Sequence, residues 1–88
     1  MFLYKTTIER INKAMEVLTK KYSLLSYLEF EDDILKLVVE YPYYSKMEID
    51  DVRDMLYFCF SKNVVSYCHE WTGEEEKDVC KLIINLKF

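Results

Sequence analysis

The sequence is poor in the residues on which most reactive sites depend. Its 88 residues include one Gly, one Pro, one His and one Trp. A single Gly leaves no Gly-rich loop to cradle a phosphate, and the chain has no flexible linker composition. No apolar run approaches the ~18 residues that would suggest a membrane span. We therefore expect one domain over residues 1–88, with no membrane partner.

Cysteine is also sparse and its spacing is uninformative. Three Cys permit at most one intrachain disulfide, and they do not have the spacing of a secreted disulfide scaffold. No signal peptide is recognisable at the N-terminus. Together these features predict a cytoplasmic protein whose thiols are reduced.

Charge is unevenly distributed along the chain. The net charge is −4, with +3 in residues 1–22 and −7 in residues 23–88. The negative charge of residues 23–88 argues against nucleic acid as a partner, because it would repel the phosphate backbone. It suits a protein partner with a basic surface.

Two segments carry the start signals of helices. TTIE at 6–9 and SKME at 45–48 both fit the capping box, in which a hydroxyl and a Glu three residues later satisfy free N–H groups. Tyr44 and Ile49 add a hydrophobic staple to the second. Apolar residues then recur with a helical period, which predicts helices from Thr6 to about Tyr22 and from Ser45 to about Ser61.

Each predicted helix is followed by residues with the period of two that is typical of strands. The turn residues Asp32-Asp33 and Thr72-Gly73 divide these stretches into two hairpins. The hairpins also resemble one another. LLSY (24–27) aligns with VVSY (64–67), and DILKLVVEY (33–41) aligns with DVCKLIINL (78–86). We interpret this as an internal duplication of a helix–strand–strand unit, over about 6–41 and 45–88.

These elements predict a two-layer α+β fold. Two αββ units can bury their apolar faces by forming one four-stranded antiparallel sheet with both helices on one face. Residues 2–4 are a possible short fifth strand at the N-terminus.

SYCHEWTGEEEKDVC (66–80) contains the residues that look most reactive. Alternation predicts that Val65, Tyr67, His69 and Trp71 share the helix-covered face with Cys80, with His69 close to Cys80 and half-buried, while Cys68 faces the other way. Adjacent ligands on opposite faces do not make a zinc site. We expect no catalytic residue, no metal ligand and no cofactor.

Two kinds of residue are instead candidates for contact with a partner. The acidic candidates lie on the second helix and in the second turn: Asp50, Asp51, Asp54, Glu74, Glu75 and Glu76. The apolar candidates lie on the polar side of the second helix, and on the sheet face expected to be free of helices: Met47, Phe58, Leu28, Phe30, Ile34 and Val38. Apolar side chains at such positions suggest a contact with another protein or a second copy, and we expect a homodimer.

The function that best fits these features is a small acidic, intracellular, non-catalytic protein-binding module. Its size and charge suit an inhibitor or immunity-type protein, encoded by a phage or other mobile element, that blocks a nucleic-acid enzyme with carboxylates in place of phosphates. One alternative is a small-ligand-binding domain, with a pocket between sheet and helices near His69, Trp71, Tyr27 and Tyr67. Another is a hydrolase that uses Cys80 and His69.

Overall fold

The computed structural model describes residues 4–42, 46–71 and 79–88, and for residues 46 and 47 the backbone only. The described residues form two helices and four strands in the predicted αββαββ order. The elements in chain order are α1 (Lys5–Tyr22), β1 (Leu25–Glu31), β2 (Ile34–Pro42), α2 (Lys46–Phe60), β3 (Val64–Trp71) and β4 (Val79–Leu86). The predicted α+β fold is confirmed.

The strands form one antiparallel sheet in the order β1-β2-β4-β3. The Asp32-Asp33 turn is confirmed: Glu31 pairs with Ile34, and Asp32 has the positive φ of 54° that tight hairpin turns require. Thr72-Gly73 lies outside the described residues, as do residues 2 and 3 of the possible fifth strand.

The predicted cap of α1 is wrong. The N-cap is Tyr4, which makes no side-chain capping bond, so Thr6 and Glu9 both lie inside the helix. The helix ends at Tyr22, as its apolar period predicts. Ser23 adopts a left-handed φ of 55°, and its N–H donates to the Thr19 carbonyl at 3.2 Å. Residues 44 and 45, on which the predicted staple and second cap depend, lie outside the described residues.

A single apolar cluster joins both helices to one face of the sheet. It combines Ile11, Ala14 and Leu18 of α1, Ile49, Val52, Leu56 and Phe60 of α2, and alternate residues of β2 and β4. Leu37 and Leu82, at matching positions of the aligned inner strands, are both fully buried. Burial of such side chains stabilises the fold by about 1.5–3 kcal/mol each.

The prediction for β1 was wrong about which face its residues occupy. A two-residue turn pairs Leu28 with Leu37 and Phe30 with Leu35, so both point toward the helices. The prediction had grouped them with Val38, and such a grouping would need a turn with an odd number of residues. A shift of one residue moves every side chain of a strand to the other face.

Ile34 and Val38 do lie on the face away from the helices, as predicted, but this face is not uniformly exposed. Val38 is 1% exposed, although it lies outside the main core cluster. It pairs with Tyr27 on one side and Ile83 on the other. Lys81 extends over the Tyr27 ring, with its Nζ 5.9 Å from the centroid. Neighbouring side chains therefore cover Val38, whereas Leu25 and Val65 on the same face are 62% and 58% exposed.

Candidate functional site: an aromatic shelf on strand β3

The helix layer leaves β3 uncovered. α1 packs on β1, the edge strand of its own unit, whereas α2 packs on β4, a central strand. Every residue of β3 after Val64 is consequently exposed, including those on the side of the sheet that carries the helices. An edge strand exposed on both faces is unusual for a small domain, because it leaves both side chains and main-chain groups accessible.

A β-bulge decides which side chains of β3 face the helix side. Val64 pairs with Leu86 and Ser66 with Asn85, so Val65 is an extra residue between two regular pairs. The next side chains, Tyr67, His69 and Trp71, therefore lie on the helix side, opposite Ile84, Leu82 and Cys80 in turn. The predicted face is confirmed for these three and for Cys68, which points the other way. It is wrong for Val65, which lines a cleft on the outer face.

Four aromatic side chains form what we call the β3 shelf: Tyr57, Tyr67, His69 and Trp71. Tyr57 of α2 contacts the Tyr67 ring edge-on, with centroids 5.6 Å apart, and Tyr67 contacts His69 in the same way at 6.0 Å. Trp71 continues the row at the end of the strand and is 64% exposed. Tyr57, Tyr67 and His69 therefore support one another through these ring contacts.

Arg53 joins the shelf to the acidic residues of α2. Its guanidinium lies 5.5 Å from the Tyr67 centroid and pairs with Asp50 at 3.5 Å and Asp54 at 3.2 Å. The hydrogen bond to Asp54 raises the pKa of Arg53 above its ordinary value. Asp51 is exposed on the same helix. Asp50 and Asp54 thus lie beside the shelf, while Glu74, Glu75 and Glu76 fall outside the described residues.

His69 is held by Tyr41. The Tyr41 hydroxyl and His69 Nδ1 are hydrogen-bonded at 2.8 Å. Burial, and then the neighbouring Cys80, raise the pKa of Tyr41 above its ordinary value. The predicted half-buried His69 is wrong, because the α2 side chains that reach β3 contact Tyr67 and leave His69 exposed. Cys80, predicted on the helix-covered face, is buried.

Cys80 and His69 share the helix side of the sheet but are not direct cross-strand partners. His69 lies opposite Leu82, and Cys80 lies opposite Trp71. The Tyr41 hydroxyl also occupies the Nδ1 nitrogen of the imidazole. A nucleophilic thiol needs a base within hydrogen-bonding reach, and among the described residues the imidazole is hydrogen-bonded to Tyr41 and not to Cys80.

Among the described residues, Tyr27 lies apart from the other side chains predicted to line a small-ligand pocket. Tyr27 pairs with Val38 on the outer face of the sheet, so it cannot line one cavity with Tyr67, His69 and Trp71. A different groove, which the sequence did not indicate, lies between α1 and α2 with a volume of about 330 Å³. Only the packing of two helices creates it, so no motif could have predicted it.

Phe58 lies where the sequence placed it. It is 87% exposed on the outward side of α2. The side chain of Met47, predicted to lie beside it, is outside the described residues.

Other kinds of site find no support in the described part of the chain. No cluster of three or more His, Cys, Asp or Glu among the described residues could hold a metal ion. Neither described helix combines the length and apolarity that crossing a membrane requires. Cys59, Cys68 and Cys80 are free thiols.

Comparison with protein-family models, curated proteins and solved structures finds no match to this chain.

Proposed function

We propose that this chain is a non-catalytic protein-binding module whose β3 shelf binds an extended, basic segment of another protein. The observation that carries this proposal is the exposure of Tyr67, His69 and Trp71 on the helix side of the sheet. On the neighbouring strand β4, the side chains on that face are buried. The molecule therefore leaves a row of aromatic side chains where its architecture would otherwise bury them.

Aromatic side chains of this kind are effective anchors for protein partners. Trp and Tyr bury large areas at low entropic cost, and they are enriched among residues that dominate binding energy. Tyr67 is already oriented by Tyr57 and Arg53, and His69 by Tyr41. Little side-chain freedom would be lost on binding, which favours affinity.

The position of β3 favours an extended partner. It is the last strand of the described sheet, so one edge of its backbone is available for pairing. Strand addition uses such an edge for main-chain hydrogen bonds, while alternate side chains provide specificity. The other edge strand, β1, presents Glu29 and Glu31 but no exposed Trp, and is the weaker candidate.

The acidic residues near the shelf favour a partner with a basic surface. Asp50 and Asp54 border the shelf through Arg53, and Asp51 is exposed on the same helix. The segment that follows Trp71 in sequence adds Glu74, Glu75 and Glu76. A protein that binds nucleic acid has a complementary surface. Inhibition of such an enzyme by a phage or mobile-element protein in the cytoplasm is the specific form of this proposal.

The test is comparative capture from a lysate of the native host. Immobilised wild type, Trp71→Ala and Asp50→Lys would be compared with two controls on β1, Phe30→Ala and Glu29→Lys. We expect a protein retained by wild type and by both controls but lost from both shelf variants. Recovery of the same proteins by all five baits would contradict the proposal.

A purified captured protein then allows a direct titration. Trp71 is the only Trp in the chain, so its fluorescence reports contact at the shelf. We expect a saturable change in emission, and a Kd that rises about 30-fold or more in Tyr67→Ala. Binding without any change in Trp71 emission would place the contact elsewhere.

A further inference from the structure

The outward side of α2 carries an unpaired apolar knob. Phe58 is the most exposed large hydrophobic side chain among the described residues, at 87%. Asp51 and Asp54 precede it by two helical turns and one turn, and share its side of the helix. Neither the sheet nor α1 covers this ring, so an apolar side chain is exposed to water among carboxylates. Such exposure is unfavourable unless another molecule covers it.

A matching hole lies on the same side of the molecule. The groove between α1 and α2 has a volume of about 330 Å³. Its floor consists of small or apolar side chains, and two cationic side chains border it. Its lining residues are Arg10, Lys13, Ala14, Val17, Met55 and Cys59. Cavities of ~150 Å³ accept a benzene ring, so this groove has room for a Phe side chain. Phe58 cannot enter the groove of its own chain, because it points outward from α2.

The charges around the knob and around the hole are opposite. Asp51 and Asp54 accompany Phe58, while Arg10 and Lys13 border the groove. Arg10 is also held in place, since it donates a hydrogen bond to the Cys59 carbonyl and stacks on Phe60 at 5.4 Å. A second copy of this chain therefore provides both the ring that the groove accepts and the carboxylates that its rim favours.

We infer that the chain forms a two-fold dimer through its helix layer, in which Phe58 of each copy fills the α1–α2 groove of the other. Met55 and Cys59 of the groove flank Phe58 on the same helix, so knob and hole lie side by side. A two-fold axis between the knob and the hole lets each copy place its Phe58 in the groove of the other. Both contacts are then used, so the assembly stops at two copies. Knob and hole on opposite faces would instead produce an open chain of molecules.

The dimer leaves the aromatic side chains of the proposed shelf free, while Asp51 and Asp54 lie at the dimer contact. Arg53 and Tyr57 lie on the flank of α2 that faces β3, whereas Met55 and Cys59 lie on the flank that faces α1. Dimerisation would leave both shelves accessible, and two shelves on one particle would bind a repeated or dimeric partner with greater avidity. Loss of dimerisation therefore does not by itself abolish single-site binding to a shelf.

Sedimentation equilibrium of the full chain over a wide concentration range tests the dimer. We expect wild type to fit a monomer–dimer equilibrium, and Phe58→Ala to raise the dissociation constant about 30-fold or more. Lys13→Glu should also weaken the dimer. Phe30→Ala, at a side chain that is 59% exposed on β1, is the matched control and should not. A wild type that stays monomeric, forms larger open assemblies or dimerises equally well as Phe58→Ala would overturn the inference.

Thiol reactivity tests the location of the interface. Cys59 lines the groove, while Cys68 is exposed on the outer sheet face and serves as an internal control. We expect N-ethylmaleimide to modify Cys59 more slowly at high protein concentration than at low, with no change at Cys68. In Phe58→Ala the concentration dependence at Cys59 should disappear. A Cys59 rate that is independent of concentration in a dimeric wild type would place the interface elsewhere.

Discussion

The two αββ units have the same order of elements, but their helices lie over different strands. α1 packs on β1, the outer strand of its own unit, and α2 packs on β4, the inner strand of its unit. Three successive residues of β1, Ser26 to Leu28, are partly buried, whereas β3 is exposed from Val65 onward. α1 thus partly covers the middle of β1, whereas β3 remains exposed after Val64.

The inner strands are close equivalents, and the outer strands are not. β2 and β4 repeat the same alternation of buried and half-buried residues along their aligned lengths. The aligned Tyr27 and Tyr67 point to opposite faces, because β3 has the bulge at Val65 and β1 is regular. The fold is consistent with a duplication whose inner strands stayed alike while one outer strand gained a new surface.

The largest effect should come from the matched core positions. Leu37→Ala and Leu82→Ala each remove a fully buried side chain from equivalent points of the inner strands. We expect each to lower the free energy of unfolding by about 2–5 kcal/mol, with similar values for the two. Urea denaturation followed by circular dichroism measures this. A clear inequality would show that the two units do not contribute equally to one core.

Single-residue deletions should separate the outer strands. Deletion of Val65 removes the extra residue of the bulge and leaves the pairing from Ser66 onward intact, so we expect little loss of stability. Deletion of the aligned Leu25 moves the buried Leu24 to the outer face and should cost about 1.5–3 kcal/mol. The same denaturation experiment applies. Equal losses in the two variants would contradict the part assigned to the bulge.

Two arginines that cover aromatic rings offer a smaller contrast. Arg10 stacks on Phe60 and donates to a carbonyl at the end of α2, while Arg53 stacks on Tyr67 beside exposed carboxylates. A cation that binds the C-terminal carbonyls of a helix offsets its dipole. We expect Arg10→Met to cost about 1 kcal/mol, since it loses a charged hydrogen bond, and Arg53→Met to cost less. Thermal melts at low protein concentration, where the dimer is dissociated, would compare them.

The smallest effect should appear only at alkaline pH. Burial raises the pKa of Tyr41 above its ordinary value, so on raising the pH the unfolded chain ionises this phenol before the folded one does. The contribution of Tyr41 is therefore complete below about pH 10 and is lost as the pH rises further. We expect Tyr41→Phe to lose less stability than wild type over that range. An identical alkaline decline in both proteins would contradict this assignment.

Periodicity in the sequence was sufficient to predict the helices and strands and their order, because each of them has a clear apolar pattern. It was also sufficient for the exposure of Phe58, which follows from helical spacing. It failed for Leu28 and Phe30, because the face of a strand depends on its register with a neighbour. It failed for the exposure of His69, because nothing in β3 itself indicates that α2 lies over β4.

The αββαββ order, the Asp32-Asp33 turn and the acidic charge follow from local patterns and residue types, so they could be predicted without the structure. The exposure of β3 and the groove between the helices depend instead on tertiary packing. The bulge at Val65 turned Tyr67, His69 and Trp71 to the helix side, the position of α2 left them uncovered, and the packing of α1 against α2 created the groove that matches Phe58. Each of these depends on contacts between residues distant in the chain, which local periodicity does not encode.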